Sequence, residues 1–247
     1  MSFSGLVQRF HLWAGLILGV QIVLWMLSGV VMTWFALDLV RGERAALSAP
    51  PPELDARGYA APGGVIAQMD GAYSVELRHF LERVVYEVDS ADGKALFDAD
   101  TAEKISPIDE RTAKRVAEAD YVGEGALARI MLMTSPPAEY KGSRPVWRAD
   151  FSDRLHTRLY ISRETGRVVA RRNDIWRIYD FFRMVHIMDY EERTNFNNPL
   201  ARAASAAGLA FAFSGLIMLF LKSGRRKLAG DVSFIIGLVR PRKKDAQ

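Results

Sequence analysis

Residues 10–37 carry no charged side chain in 28 positions, and residues 203–221 carry none in 19. About 20 apolar residues are enough to cross the hydrocarbon core of a bilayer, so these runs predict two transmembrane helices, at 10–38 and 199–221. Between them the pattern shortens. Residues 39–63 are rich in Ala, Pro, Gly and charge, with three consecutive prolines at 50–52, and read as a linker. Val75 and Leu77, then Val84, Tyr86 and Val88, alternate as strands do, and Asp92-Gly93 signals a hairpin between runs. Ser106 or Asp109 can cap a helix whose apolar positions are Ala113, Val116 and Ala117. The stretch EGALARIMLMT predicts a second helix, stopped by Pro136-Pro137. Strand patterning then returns through Trp147, Ala149 and Phe151, through Leu159-Tyr160-Ile161, and after a Thr165-Gly166 turn at Val168-Val169. A helix feeding a small antiparallel sheet thus occurs twice, each sheet with a tyrosine strand and a glycine turn six or seven residues later. The expected architecture is two membrane helices plus an α+β domain of two lobes, 64–120 and 121–173, with an amphipathic segment at 174–198 leading back to the membrane.

Composition changes this picture in one respect. With 49% hydrophobic and 25% charged residues the chain is neither disordered nor, having no cysteine, a disulfide scaffold. The net charge of +4 is unevenly placed. Residues 41–195 hold 23 Lys+Arg against 26 Asp+Glu, net −3, whereas residues 222–247 hold 8 against 2, net +6. A basic tail directly after a membrane helix follows the positive-inside rule and argues against a nucleic-acid partner. It predicts a multi-pass membrane protein with residues 1–9 and the tail cytoplasmic and the central domain outside. The first apolar run is about twice the length of a secretory h-region and ends in Met32, Trp34, Phe35 and Leu37 rather than small residues, so it is expected to stay in the membrane. Trp13 and Trp34 stand where interfacial belt residues would, and VSFIIGLV at 232–239 is too short to span. No zinc-binding, phosphate-loop or nucleophile-elbow pattern occurs in the sequence, which leaves hydrolase chemistry unsupported.

Several segments carry a family resemblance. HTRLYISRETGRVVARR and VVYEVDSADGKALFDADT resemble PepSY repeats. RFHLWAGLILGVQIVLWMLSGVVMTW resembles the first membrane helix of PepSY-associated transmembrane proteins, and WRIYDFFRMVHIMDY followed by AGLAFAFSGLIML is similar to the histidine-bearing approach to their next helix. The resemblance implies an inner-membrane, heme-containing reductase of ferric iron or ferric siderophores, which makes the membrane the cytoplasmic (inner) one and the central domain periplasmic. Four membrane helices are usual in that family, and this chain has two.

The histidines are the candidate ligands. On a helix of 100° per residue, Gly15 lies near the face of His11 and Gly29 falls on the same line. Two readings of His11 stand on the residues alone: a headgroup-zone imidazole whose glycines permit close helix contact, or a ligand beside a slot for a flat porphyrin. His186 sits in an aromatic segment flanked by Met184 and Met188 and has a similar choice between a water-facing interfacial residue and a ligand. The resemblance implies the ligand reading for both, with heme b as cofactor and His11 and His186 as axial ligands. Topology separates them by about 20 residues, roughly 30 Å, so one heme cannot bridge them. A homodimer with its two-fold axis along the membrane normal would supply the second ligand at each level and restore four helices. At the outer level His186 would meet its symmetry mate or His156, or an axial Met184 or Met188. Gly15, Gly19, Ser28 and Gly29, with Ser205, Gly208, Ser214 and Gly215, are small residues suited to helix contact. The expected function is heme-dependent electron transfer from a quinol or flavoprotein donor to ferric iron or a ferric chelate at the periplasmic face, with Asp189, Glu191 and Glu192 as acidic groups near the mouth. The alternative from another class is a cofactor-free, membrane-tethered PepSY module that binds or inhibits a partner protein.

Overall fold

A computed structural model describes residues 3–46, 53–54 and 58–222. The prolines at 50–52, the basic tail beyond Lys222 and the apolar stretch at 232–239 lie outside the described residues. The elements run α1 (Phe3–Trp34), α2 (Leu37–Val40), a 3-10 turn (Glu43–Ala45), α3 (Pro62–Ile66), β1 (Ala72–Phe80), β2 (Arg83–Ser90), β3 (Gly93–Asp98), α4 (Glu110–Asp120), β4 (Leu127–Met133), β5 (Val146–Phe151), β6 (Arg158–Ser162), β7 (Val168–Arg172), α5 (Asp174–Ile187) and α6 (Pro199–Lys222). They form two units. One comprises α1 as far as Met32 and the chain from Phe181 onward; the other is Thr33–Asp180.

The first unit contains both apolar helices. Gly5–Trp34 and Pro199–Leu221 are long and apolar enough to cross a membrane. At 1.5 Å per residue the 32 residues of α1 extend about 48 Å, which exceeds a hydrocarbon core of about 30 Å. On α6 the less exposed positions, Ala201, Ala204, Gly208, Phe211, Ser214, Gly215 and Met218, recur every three or four residues and form one seam. The remaining faces expose Leu16, Ile17, Val20 and Val23 on α1 and Leu209, Phe213 and Phe220 on α6. An exposed apolar surface of this kind suits lipid or further helices and not water.

The second unit is the α+β domain. Its sheets are antiparallel, β1-β2-β3 and β4-β5-β6-β7. The first sheet is covered on both faces: Val84, Tyr86, Val88 and Phe97 pack with Val65 of α3, while Val85 and Leu96 enter a second core with α4 and with Trp147, Ala149, Phe151, Leu159 and Ile161 of the second sheet. Burial on both faces explains why consecutive residues of β2, from Val84 to Val88, are all buried and not every second one. Asp109 caps α4, its carboxylate accepting the Thr112 amide at 2.8 Å. Because α4 packs on β4 to β7, it belongs to the second lobe, and the division expected at 120/121 moves to the N-terminal side of the helix. Glu87 ties the lobes together, accepting from Arg78 and from Arg167 at 2.7 Å each, while Arg78 also donates to the Thr165 carbonyl at 2.6 Å.

Two expectations change. Residues 127–133 form strand β4 and not a helix, pairing with β5 from Leu127↔Phe151 to Met133↔Val146. The expected linker is structured at both ends: α2 and the 3-10 turn begin it, Ala46 bridges to Tyr121, and α3 opens at Pro62.

Candidate functional site

His11 lies in α1 and meets α6. Its ring stacks on Phe211 with centroids 4.4 Å apart and planes 10° from parallel, and Nδ1 is 2.7 Å from Ser214 Oγ. Two glycines make the approach possible. A Cβ at Gly215 would come 3.1 Å from His11 Cε1, and one at Gly15 would come 3.1 Å from the Phe211 ring. The space beside Gly15 is therefore filled by a phenylalanine, whereas a Cβ at Gly29 would meet nothing within 4 Å. A mainly apolar groove of about 520 Å³, lined among others by Leu6, Phe10, Phe213 and Ser214, opens along the same pair of helices.

His186 is the penultimate residue of α5 and is held to α1 twice. Ser28 Oγ lies 2.9 Å from its Nδ1, and Trp25 Nε1 donates to its carbonyl oxygen at 2.9 Å. Asn198 Nδ2 donates to the neighbouring Ile187 carbonyl at 2.8 Å, so carbonyls at the C-terminal end of the helix are capped by side chains. Met188 then turns the chain at a φ of +55° and is buried. Met184, half-buried on α5, stands two residues before His186 and so about 200° round the helix from it.

The remaining candidates are otherwise engaged. His156 belongs to the other unit, in a turn at φ +49°, with a side chain 73% exposed and Nδ1 2.6 Å from Asp174 Oδ2. Asp189 is buried, and its carboxylate accepts the amides of Glu192, Thr194 and Asn195 at 3.1, 2.8 and 2.8 Å. Those bonds, the Asn195 amide foremost, hold it below the usual carboxylate range. Asp189 shapes the loop before α6 and leaves little capacity for iron; Glu191 and Glu192 are exposed.

Ser28 and Ser214 are read in the sequence only as small residues for helix contact. Both are buried in the structure, and each is the partner of one histidine. The signal available beforehand is that a histidine in an apolar helix needs a polar partner, but its identity depends on how the helices meet.

The donor set can be compared with the chemistry of a heme. Among the described residues no group of three His, Cys, Asp or Glu is arranged to hold a bare metal ion. A heme brings four nitrogen ligands of its own and asks the protein for axial imidazoles. The first unit offers two, with Nδ1 engaged and no partner on Nε2 among the described residues. Ser28, which holds His186, is 17 residues from His11 along α1, about 25 Å at 1.5 Å per residue. The imidazoles thus fit axial ligation at two levels along α1.

A family model described as the PepSY-associated TM region matches residues 8–245. Neither the curated proteins nor the solved structures include a match.

Proposed function

The chain belongs to the PepSY-associated TM family, and from that premise we propose that it binds heme b in the membrane and carries electrons to ferric iron, free or chelated, on the side of the α+β domain. The observation that carries the reading is the pair of half-buried imidazoles near opposite ends of α1, each fixed through Nδ1 with Nε2 left for a ligand. When bound, heme b supplies a one-electron Fe(III)/Fe(II) couple. His11 and His186 would each hold a heme at its own level, Phe211 and Ser214 keep the His11 ring from turning, and Trp25, Ser28 and Asn198 fix the end of α5 that carries His186. Each chain offers one such imidazole at each level. A second copy related by a two-fold axis along the membrane normal would provide the other, and the exposed apolar faces of α1 and α6 offer surface for that contact. The family, the basic tail and the weakly acidic central region support an inner-membrane protein whose central domain is periplasmic. Each ferric ion takes one electron from a quinol or flavin donor, and the ferrous product is held less tightly by hard oxygen ligands.

The purified full chain is expected to show a Soret band and a pyridine-hemochrome count of two hemes per dimer. His11→Ala and His186→Ala should each remove one spectral component and leave the other, and Fe(III) should reoxidise the dithionite-reduced protein. No Soret band after heme supplementation and reduction would overturn the proposal and favour the cofactor-free tethered module. An unchanged spectrum in either variant would remove that histidine from the ligand set.

A further inference from the structure

Ser28 and Ser214 lie within helices, where a serine hydroxyl commonly bonds back to its own backbone. Ser28 Oγ donates to the Leu24 carbonyl at 2.7 Å, with the Trp25 carbonyl at 3.0 Å, and Ser214 Oγ donates to the Phe211 carbonyl at 2.7 Å. A hydroxyl has one proton and a carbonyl oxygen can only accept. Without that proton between them, two oxygens at 2.7 Å would set lone pair against lone pair. The serine proton is therefore committed to the helix, and the face that Oγ turns to the imidazole is a lone pair. Nδ1 must be the donor in both contacts, His186 to Ser28 at 2.9 Å and His11 to Ser214 at 2.7 Å. A neutral ring protonated on Nδ1 carries its lone pair on Nε2.

We infer that Ser28 and Ser214 are positioning residues that hold His186 and His11 in the Nδ1–H tautomer, so that both rings present Nε2 as a metal ligand. The inference rests on the heme reading and deepens it by assigning a serine to each candidate ligand. The arrangement occurs twice with the roles exchanged between helices. At one end the serine is on α1 and the imidazole on α5; at the other the imidazole is on α1 and the serine on α6. Metal-bound histidines typically donate their other ring N–H to a fixed acceptor, which sets both the tautomer and the ring orientation. A serine that merely fastened two helices would work with either nitrogen as donor and would be free to give its own proton to the ring. Here the backbone carbonyls remove that freedom at both sites.

The test is ring-nitrogen NMR of the full chain carrying isotope-labelled histidine, in lipid nanodiscs without heme, with resonances assigned by single histidine replacements. At alkaline pH, where imidazole is neutral, His11 and His186 are both expected to carry their ring proton on Nδ1. Ser28→Ala should release the tautomer of His186 alone and Ser214→Ala that of His11 alone, and Ser28→Thr and Ser214→Thr should restore each. In heme-loaded protein each alanine variant should lower heme retention at its own level by about 10–100-fold and shift that heme's midpoint potential upward, with the other level unchanged. A wild-type proton on Nε2 instead of Nδ1 in either neutral ring overturns the inference; so does an alanine variant that leaves the ring nitrogens unchanged. Because the wild-type tautomer is read directly, a variant that fails to fold does not decide the matter. The inferred tautomers in a protein that takes up no heme would overturn the proposed function and not the tautomer assignment, so the two failures are distinguishable.

Discussion

Glu139 shows how much one side chain can hold in the α+β domain. Its carboxylate, 11% exposed, accepts Tyr160 Oη at 2.7 Å and Arg158 Nη1 at 3.0 Å on Oε1, and Arg177 Nε at 2.9 Å on Oε2. Its backbone carbonyl takes Arg172 Nε at 2.8 Å. One residue between β4 and β5 thus fastens β6, β7 and the first turn of α5. Burial pushes the Glu139 carboxyl up, but the bonds from Arg177, Tyr160 and Arg158 outweigh it and leave the group below its ordinary value of 4.5. Burial and the neighbouring Glu139 carboxylate push the Tyr160 hydroxyl well above its ordinary range. A carboxyl depressed in the folded state contributes stability that is fully present above its unfolded value and is lost as pH falls through the folded one. The Glu139 share should therefore begin to fall below about pH 4.5 and be gone only once the pH is under the lower folded value. Glu139→Gln is expected to cost about 1–3 kcal/mol at neutral pH, since Arg177 keeps a partner of lower charge. It should also flatten the acid limb of the stability curve. Denaturant titration of the full chain in detergent, followed by circular dichroism from pH 7 to pH 3, reads both effects; parallel acid limbs for the two proteins would show that the carboxylate does not carry this dependence.

At the level of elements, the turn between β6 and β7 joins the lobes through a residue with no side chain. Gly166 has a φ of +63°, and a Cβ there would collide with the ring of Phe80 at the end of β1. Gly166→Ala combines a left-handed backbone with overpacking and is expected to destabilise the domain by about 2–4 kcal/mol. The thermal midpoint of the full chain should fall, while an unchanged midpoint would mean that Phe80 can leave the second lobe at no cost. That turn is readable in the sequence because Thr-Gly between two β-rich runs has a local cause. Strand β4 is not, because Leu-Ala-Arg-Ile-Met-Leu-Met consists largely of good helix formers and takes its conformation from pairing with β5. Much the same division applies to the candidate site. His11 and His186 stand out as histidines beside or within apolar segments, and Gly15 and Gly215 as small residues, since those properties belong to the residues themselves. That Phe211 fills the space beside Gly15, and that Ser28 and Ser214 are bonded to the imidazoles, depends on the register of α1 against α5 and α6, which no local pattern contains.

For the molecule as a whole, the direction of the proposed electron flow would depend on which side of a membrane the α+β domain occupies, and charge is the strongest argument for that side. A tail of net +6 directly after α6 favours retention in the cytoplasm, while the intervening region, net −3 over residues 41–195, has no comparable excess of Lys and Arg. If both helices span, residues 1–9 and the tail share one side and the central domain takes the other, so the proposed orientation can fail only as a unit. The chain has no cysteine, so a single introduced thiol is the only one in the protein. Ala91 lies exposed in the turn between β2 and β3, and Ala246 lies in the tail. In intact cells with a permeabilised outer membrane, a membrane-impermeant maleimide is expected to label Ala91→Cys at once and Ala246→Cys only after the inner membrane is lysed. Labelling of Ala246→Cys in intact cells, with Ala91→Cys protected, would reverse the orientation. It would put the proposed reduction of ferric iron beside the α+β domain on the cytoplasmic side, where a ferric chelate would first have to be imported, and the proposed role in extracytoplasmic iron reduction would fall with it.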